Sequence, residues 1–393
     1  MDPEALRTAR TEYERLGLRV TSETLVAQPY VIASIVARSR DCVLRGWGRG
    51  MGAEAEARAW NEGLERFWFS RPQTTRSMEI AEVLEQDVLR KDALLLRFAR
   101  EYPDALVDTV AFEGLSGARL WYPAALRFPA TAEVRDTHEY GRYVHRAGTA
   151  AAMARPEALL RALLELAEHD ALSLAMLEGL RKPGRSSLRQ IEPASLPERL
   201  EPLFEFVGSL VGCVVALFEV PSDLGVCVVM ALPSEEIEFP GAMGLAASLD
   251  PSDSLERALS ELAQSFCTFQ VDLETDANRR RLLQDLRRWP SLLKYADLRS
   301  TDLIRCSSRE MLPFGLIRTP LDLSGRTPLE ALTAHWSAAG HPIYFRVLSP
   351  EESQVVVVNA MVPGLERFDL LTLGRPVLPT GRGAALLGDG SSS

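Results

Sequence analysis

Lysine is nearly missing from this chain: Lys91, Lys182 and Lys294 are the only three among 44 basic residues, the rest being arginine. The 54 acidic residues outnumber the bases and leave a formal net charge of -10. No uncompensated basic tract remains to displace counterions from phosphates, which argues against a nucleic-acid partner. Cysteine is scarce too. Cys42, Cys213, Cys227, Cys267 and Cys306 are odd in number and scattered, so they make no disulfide framework and read as buried free thiols of a reducing compartment. The lack of a Cys-x-x-Cys pair or a His-rich tract argues against a structural zinc site. No apolar run approaches the roughly 20 residues of a membrane-spanning helix. The opening "MDPEALRTARTEYERLGL" has the pattern of an amphipathic helix, not the basic-then-apolar layout of a signal peptide. The expectation is a soluble cytoplasmic protein with no membrane or nucleic-acid partner. Nor is there a G-x-x-x-x-G-K-S/T loop, so any ATP site is of another design.

The chain has 393 residues, 46% hydrophobic and 25% charged, enough for a sizeable core. "TLVAQPYVIASIVARS" reads as strands, followed by the glycine-punctuated "RGWGRGMG" and a helix. "SMEIAEVLEQDVLRKDALLLRFAREY" reads as helical, and 105–129 as short strands. A second helix starts near Pro156, and "RKPGRSSLRQIEPASLP" is the best linker candidate. "LVGCVVALFEV" and "GVCVVMALP" read as buried strands around the turn "PSDLG". A third helix follows, with Asp253 or Ser254 as its cap. "PIYFRVLS" and "SQVVVVNAMVPG" read as late strands. Helices and strands mix without a regular repeat, so the fold class expected is α+β (mixed α/β). The expected organisation is an N-terminal helix over 1–14, one large domain over 15–385 with an internal linker near 181–197, and a disordered tail over 386–393.

One pattern recurs. "RAWNEGLERFW" from Arg58, "RALLELAEHDA" from Arg161 and "RALSELAQSF" from Arg257 share Arg-Ala-x-x-Glu-x-x-Glu/Gln. At 100° per residue, Trp60, Leu64 and Phe67 fall opposite Arg58, Glu62, Glu65 and Arg66. Leu159, Leu163 and Leu166 fall opposite Arg161, Glu165, Glu168 and His169, and Leu255, Leu259, Leu262 and Phe266 opposite Arg257, Glu261 and Gln264. The ordinary reading of one such ridge is a solvated face worth a few tenths of a kcal/mol per pair. Shared spacing and the repulsion between like charges on adjacent turns argue for a cation between them. Mg²⁺ suits such acids together with a nucleotide's phosphates. The arginines Arg58, Arg66, Arg161 and Arg257 would offer planar donors to phosphate oxygens. The alternate glycines Gly46, Gly48, Gly50 and Gly52 read either as a glycine-rich strand or as a loop that lets backbone approach a ligand.

Taken in order, these elements resemble the YcaO family, whose members use ATP to activate peptide backbone amides during azoline, thioamide or amidine formation. The family's Gly-Lys-Gly loop and Ser-x-x-x-Glu-x-x-Glu-Arg helix are matched by "GRG" (Gly48 to Gly50), Arg58, Glu62, Glu65 and Arg66. Its Gly-x-Ala-Ala-Gly segment and Glu-Leu-x-Glu-Arg-Asp-Ala are matched by "GTAAA" from Gly148 and "ELAEHDA" from Glu165. "FEVPSDLGVCVVMAL" and "VVVVNAMVPGLERF" are similar to later family strands, and the resemblance runs from about 15 to 380. It implies a YcaO-like fold with ATP and Mg²⁺ as cofactors, the metal on Glu62, Glu65, Glu165 and Glu168, and the triphosphate between the helices. The nucleotide contacts it implies are Arg49, Arg58, Arg66, Arg161, His169, Arg257, Glu261 and Gln264. No catalytic residue is singled out.

The chain departs from the family pattern where Arg58 stands for the motif serine, Arg49 for the lysine and His169 for the second arginine. Phe266 and Glu274 stand where arginines are common, and "RPVLPTGRG" lacks the full Pro-x-Pro-x-Pro ending. The resemblance implies a cyclodehydratase-type enzyme that modifies a precursor peptide presented by a separate leader-peptide-binding partner, with a homodimer as the expected assembly. The alternative is a non-catalytic scaffold or peptide-binding subunit of a synthetase complex.

Overall fold

The computed structural model describes residues 3–26, 30–40, 42–50, 53–71, 73, 75–129, 138–181, 187–237, 241–271, 273–307, 310–318 and 321–388. In chain order the strands are β1 (Arg19–Val26), β2 (Val31–Arg38), β3 (Val43–Gly50), β4 (Arg76–Glu79), β5 (Leu106–Gly114), β6 (Arg119–Pro123) and β7 (Thr149–Ala152). Then come β8 (Arg189–Ile191), β9 (Val215–Val220), β10 (Cys227–Pro233), β11 (Gly244–Ser248), β12 (Met311–Leu312), β13 (Tyr344–Val347) and β14 (Val356–Met361). The helices used below are α1 (Pro3–Arg15), α2 (Ala53–Phe69), α3 (Ile80–Leu84), α4 (Ala93–Glu101), α5 (His138–Gly141), α6 (Arg155–Arg181), α7 (Glu201–Val211) and α8 (Pro251–Val271). The class is α+β, as the sequence indicates.

The chain divides into two units, the first Met1–Leu166 with Trp336–Gly364 and the second Ala167–His335 with Leu365–Ser393. In the first unit, β1-β2-β3 is an antiparallel sheet, and β4-β5-β13-β14-β7, with β6 on β5, is a second one. Ala33, Ile35 and Ala37 alternate inward on β2 and meet Trp60, Leu64 and Phe67 of α2 in one core cluster. Fully burying each large side chain there contributes about 1.5–3 kcal/mol. Tyr13 of α1 closes the cluster, its ring at 85° to that of Trp60 with centroids 4.8 Å apart.

β3 lies so close to α2 that two glycines are obligatory. A Cβ on Gly46 would sit 2.1 Å from Ala59 O, and one on Gly48 1.8 Å from Ala55 O. "GWGRG" is therefore a strand over Val43–Gly50 rather than a ligand loop, and Gly52 lies outside the described residues.

The second unit holds β11-β10-β9-β8-β12, with only β12 and β8 parallel. Every residue of β9 and β10 is buried, as their unbroken apolar runs require of central strands. Gly244 of β11 repeats the close approach of β3, its Cβ position being 1.9 Å from Ala258 O of α8. Far along the chain, Glu366 accepts hydrogen bonds from Thr380 N, Thr380 Oγ1 and Gly383 N, fastening the start of the last helix, Gly381–Gly388.

Several expectations change. The stretch read as one helix from Ser77 starts as β4, because Arg76–Glu79 pairs with Leu106–Thr109 of β5; α3 and α4 follow separately. Asp250, not Asp253 or Ser254, caps α8: its Oδ1 accepts from Ser252 N at 2.7 Å and Asp253 N at 3.4 Å. Within the Pro- and Ser-bearing stretch near 181–197, Arg189–Ile191 is a strand on β9, and 182–186 lie outside the described residues, as do 389–393 of the tail. All five cysteines are free thiols. Among the described residues no helix is long and apolar enough to cross a membrane.

Gly48→Ala is expected to lower unfolding free energy by roughly 3 kcal/mol, because the new methyl meets helix backbone that cannot yield. Gly315→Ala, with nothing within 4 Å, is expected to change it by less than about 0.5 kcal/mol. Urea denaturation of both variants measures the contrast, and equal losses would refute the packing argument.

Candidate functional site

The recurring motif marks three strand-to-helix units: β3 to α2, β7 to α6 and β11 to α8. In each, two residues intervene (51–52, 153–154 and 249–250) before the helix that carries the glutamates. β7 and β11 are edge strands, whose open N–H and C=O groups need partners. The motif supplies them. In the first unit, Ala151 of β7 donates its N–H to Glu65 Oε1 at 2.8 Å, and its carbonyl accepts from Arg161 Nη1 at 3.3 Å. In the second unit, Ala247 of β11 donates to Glu168 Oε2 at 3.1 Å and accepts from Arg257 Nη1 at 2.9 Å. Thus the second carboxylate of one copy and the first arginine of the next clamp the same alanine. The first carboxylates hold nearer backbone: Glu62 Oε2 accepts from Trp47 N at 2.6 Å, and Glu165 Oε2 from Gly148 N at 3.0 Å.

Three carboxylates of the first unit thereby face one guanidinium. Arg146 Nη2 donates to Glu62 Oε1 at 2.7 Å, and Arg66 Nη2 to the same oxygen at 2.8 Å. Glu62 keeps only 15% of its side-chain exposure, so this ridge is not the solvated face of an ordinary helix. Burial opposes its ionisation, yet Arg146, Arg66 and the Trp47 N–H together hold its carboxyl below the usual range. Burial and the neighbouring charges of Glu165 and Glu62 push Glu65 up to about 8. Burial would release the Arg146 proton, but Glu62, Glu165 and Glu65 bind it more tightly than usual.

Among the described residues, no three carboxylates, imidazoles or thiolates are drawn close enough to hold a metal ion as they stand. Arg146 occupies a place on Glu62, and each glutamate is turned towards a backbone N–H. The donor set nonetheless fits Mg²⁺. Its oxygens are hard, and they come from two helices.

Other expected residues are distributed as follows. Arg49 is half-buried on β3. Arg58 pairs with Glu54 at 2.5 Å within α2, and Arg161 with Glu157 at 2.6 Å within α6. In the second unit, Glu261 and Gln264 are half-buried on α8. His169 Nδ1 is bonded to Asp369, whose Oδ1 accepts from Ser173 Oγ at 2.9 Å; the ring is thus oriented by a buried carboxylate, a partner that spacing from Glu168 could not reveal. Sequence reasoning also missed Arg146 and Tyr13. Arg146 is one arginine among many ahead of "GTAAA". The Tyr13 hydroxyl donates to Trp60 O at 2.8 Å, and its pKa is raised by burial, Glu65 and Glu62.

Because the folded-state pKa of Glu65 lies near 8, above its ordinary 4.5, the native chain binds that proton more tightly than the unfolded one. The stabilisation is complete below pH 4.5 and is lost as pH rises through about 8. Metal-free wild-type protein is therefore expected to lose roughly 2 kcal/mol more than Glu65→Gln between pH 6 and pH 9, measured by urea denaturation in chelator. Parallel pH profiles would contradict the assignment.

Comparison with known proteins fits this geometry. The YcaO cyclodehydratase family, described as ATP- and Mg²⁺-binding, matches residues 47–366. No curated protein matches. Among solved structures, YcaO from Methanopyrus kandleri bound with AMPPCP and Mg²⁺ is 21% identical, with TM-score 0.66 over 95% of this chain and 92% of that one. A heterocyclase in complex with substrate and cofactor is 16% identical, with TM-score 0.64 over 92% of this chain and 52% of that one. The E. coli microcin synthetase McbBCD complex contains a chain 14% identical, with TM-score 0.63 over 89% and 88%. At such identities the structural likeness establishes the fold, and the family match establishes the rest: the chain belongs to the YcaO cyclodehydratase family, ATP- and Mg²⁺-dependent enzymes of peptide modification.

Proposed function

We propose that this protein is a cyclodehydratase that forms azolines in a ribosomally made precursor peptide, acting with a separate protein that presents the peptide's leader. The observation that carries the reading is the meeting of Glu62, Glu65 and Glu165 around Arg146 in the first unit. We propose these three glutamates as the Mg²⁺ ligands, each already aimed by one backbone N–H. Arg58, Arg66 and Arg161 are proposed to serve phosphate oxygens with planar, permanently charged donors. Bound Mg²⁺ supplies neutralisation of the phosphate charge that builds up during transfer.

In the proposed reaction a Cys, Ser or Thr side chain adds to the preceding backbone carbonyl, giving up its proton and leaving an oxyanion. That oxygen takes the terminal phosphoryl group of ATP, releasing ADP, and departs as phosphate while the former amide nitrogen gives up its proton and forms the ring double bond to carbon. The chain's contribution is positioning and charge neutralisation in a site held rigid by strand backbone. The complexes named for the related structures, one with substrate and one a multi-subunit synthetase, support a peptide substrate and a protein partner.

Calorimetric titration of ATP with Mg²⁺ is expected to show metal-dependent binding weakened at least tenfold, about 1.4 kcal/mol, in Glu62→Gln and in Glu165→Gln. Unchanged affinity in both folded variants would remove these residues from the site.

A further inference from the structure

Of the two guanidiniums on Glu62 Oε1, only one belongs to its own helix. Arg66 is one turn along α2 and reaches Glu62 wherever that helix forms. Arg146 arrives from the segment ahead of β7, 84 residues away in sequence. Its backbone is fixed from behind. Buried Arg127 donates through Nη2 to Ala147 O at 2.9 Å and Ala360 O at 2.7 Å, and through Nε to Asn359 Oδ1 at 2.8 Å. Two residues further on, Gly148 N holds Glu165, and Ala151 N holds Glu65. One rigid segment thus aims two carboxylates and delivers a cation to the third.

The Arg146 side chain itself is less confined than its backbone. It keeps 32% of its side-chain exposure, twice that of Glu62, while its anchor stays in place. A divalent ion about 5 Å from that guanidinium would be repelled by several kcal/mol even at an effective dielectric near 20. The two cations therefore exclude one another.

We infer that Arg146 is a built-in counter-ion of the carboxylate centre, which Mg²⁺ must displace from Glu62 in order to bind. This rests on the reading of Glu62, Glu65 and Glu165 as Mg²⁺ ligands and adds to it a residue that sets metal affinity from within. Arg146 keeps three acids together in the metal-free chain and makes occupancy by the metal a competition. A structural ion pair alone would behave differently, since its loss would loosen the centre and weaken the metal.

The test is calorimetric titration of MgCl₂ alone, without nucleotide, at pH 8.5, into wild type, Arg146→Met and Arg146→Lys, with thermal unfolding of each recorded in chelator. Arg146→Met is expected to bind Mg²⁺ at least tenfold more tightly than wild type. Arg146→Lys, which keeps the charge but not the planar fork, is expected to bind about threefold more tightly, and it carries the test if the methionine variant does not fold without metal. Binding by wild type that is unchanged or weaker in the folded variants overturns the counter-ion inference alone. No binding by any of the three overturns the Mg²⁺ reading and the inference with it.

Discussion

Everything in the first unit's centre depends on keeping carboxylates of like charge close together out of bulk water. Glu65 shows the cost in a pKa pushed up to about 8 by burial and by Glu165 and Glu62. What offsets that cost is the Arg146 guanidinium first and backbone second. Trp47, Gly148 and Ala151 each turn an N–H towards one glutamate, and each of these donors sits on a strand or turn that cannot follow the side chain away. The carboxylates are held in geometry by hydrogen bonds whose other half is the fold itself.

That constraint accounts for features that look unrelated in the sequence. The N–H donors must come close to a helix, so the strands ahead of the helices carry glycine or alanine where they approach it; Gly46, Gly48 and Gly244 leave no room for a side chain. The edges of β7 and β11 are closed by Glu and Arg side chains, so the motif's own residues satisfy the backbone groups of an exposed strand edge. The thrice-written Arg-Ala-x-x-Glu-x-x-Glu/Gln is the trace of this arrangement. Its arginine reaches back ten residues to a strand carbonyl in the second and third copies.

Local chemistry was legible in the sequence, and long-range partnership was not. The alternating and unbroken apolar runs of β2, β9, β10 and β14 announce themselves as strands, and the amphipathic faces around Leu64 and Leu163 as helices. The motif glutamates were visible from their spacing and their likeness to a family pattern. Nothing local shows that Glu65 holds Ala151, 86 residues on, or that His169 meets Asp369, 200 residues on. β4 was misread because the apolar pattern of "SMEIAEVL" suits a helix, and pairing with β5 decides otherwise. The glycine run admits two readings in the sequence because a close approach to a helix and a close approach to a ligand leave the same mark; the structure makes it a strand packed on α2.

The central claim is that Glu62, Glu65 and Glu165 form a metal site. Its most direct measurement is anomalous diffraction from crystals soaked with Mn²⁺ and a non-hydrolysable ATP analogue. An anomalous peak within ligand distance of oxygens from all three glutamates is the result expected. Bound nucleotide with its metal on other residues, and these glutamates still turned to their backbone partners alone, would contradict the account.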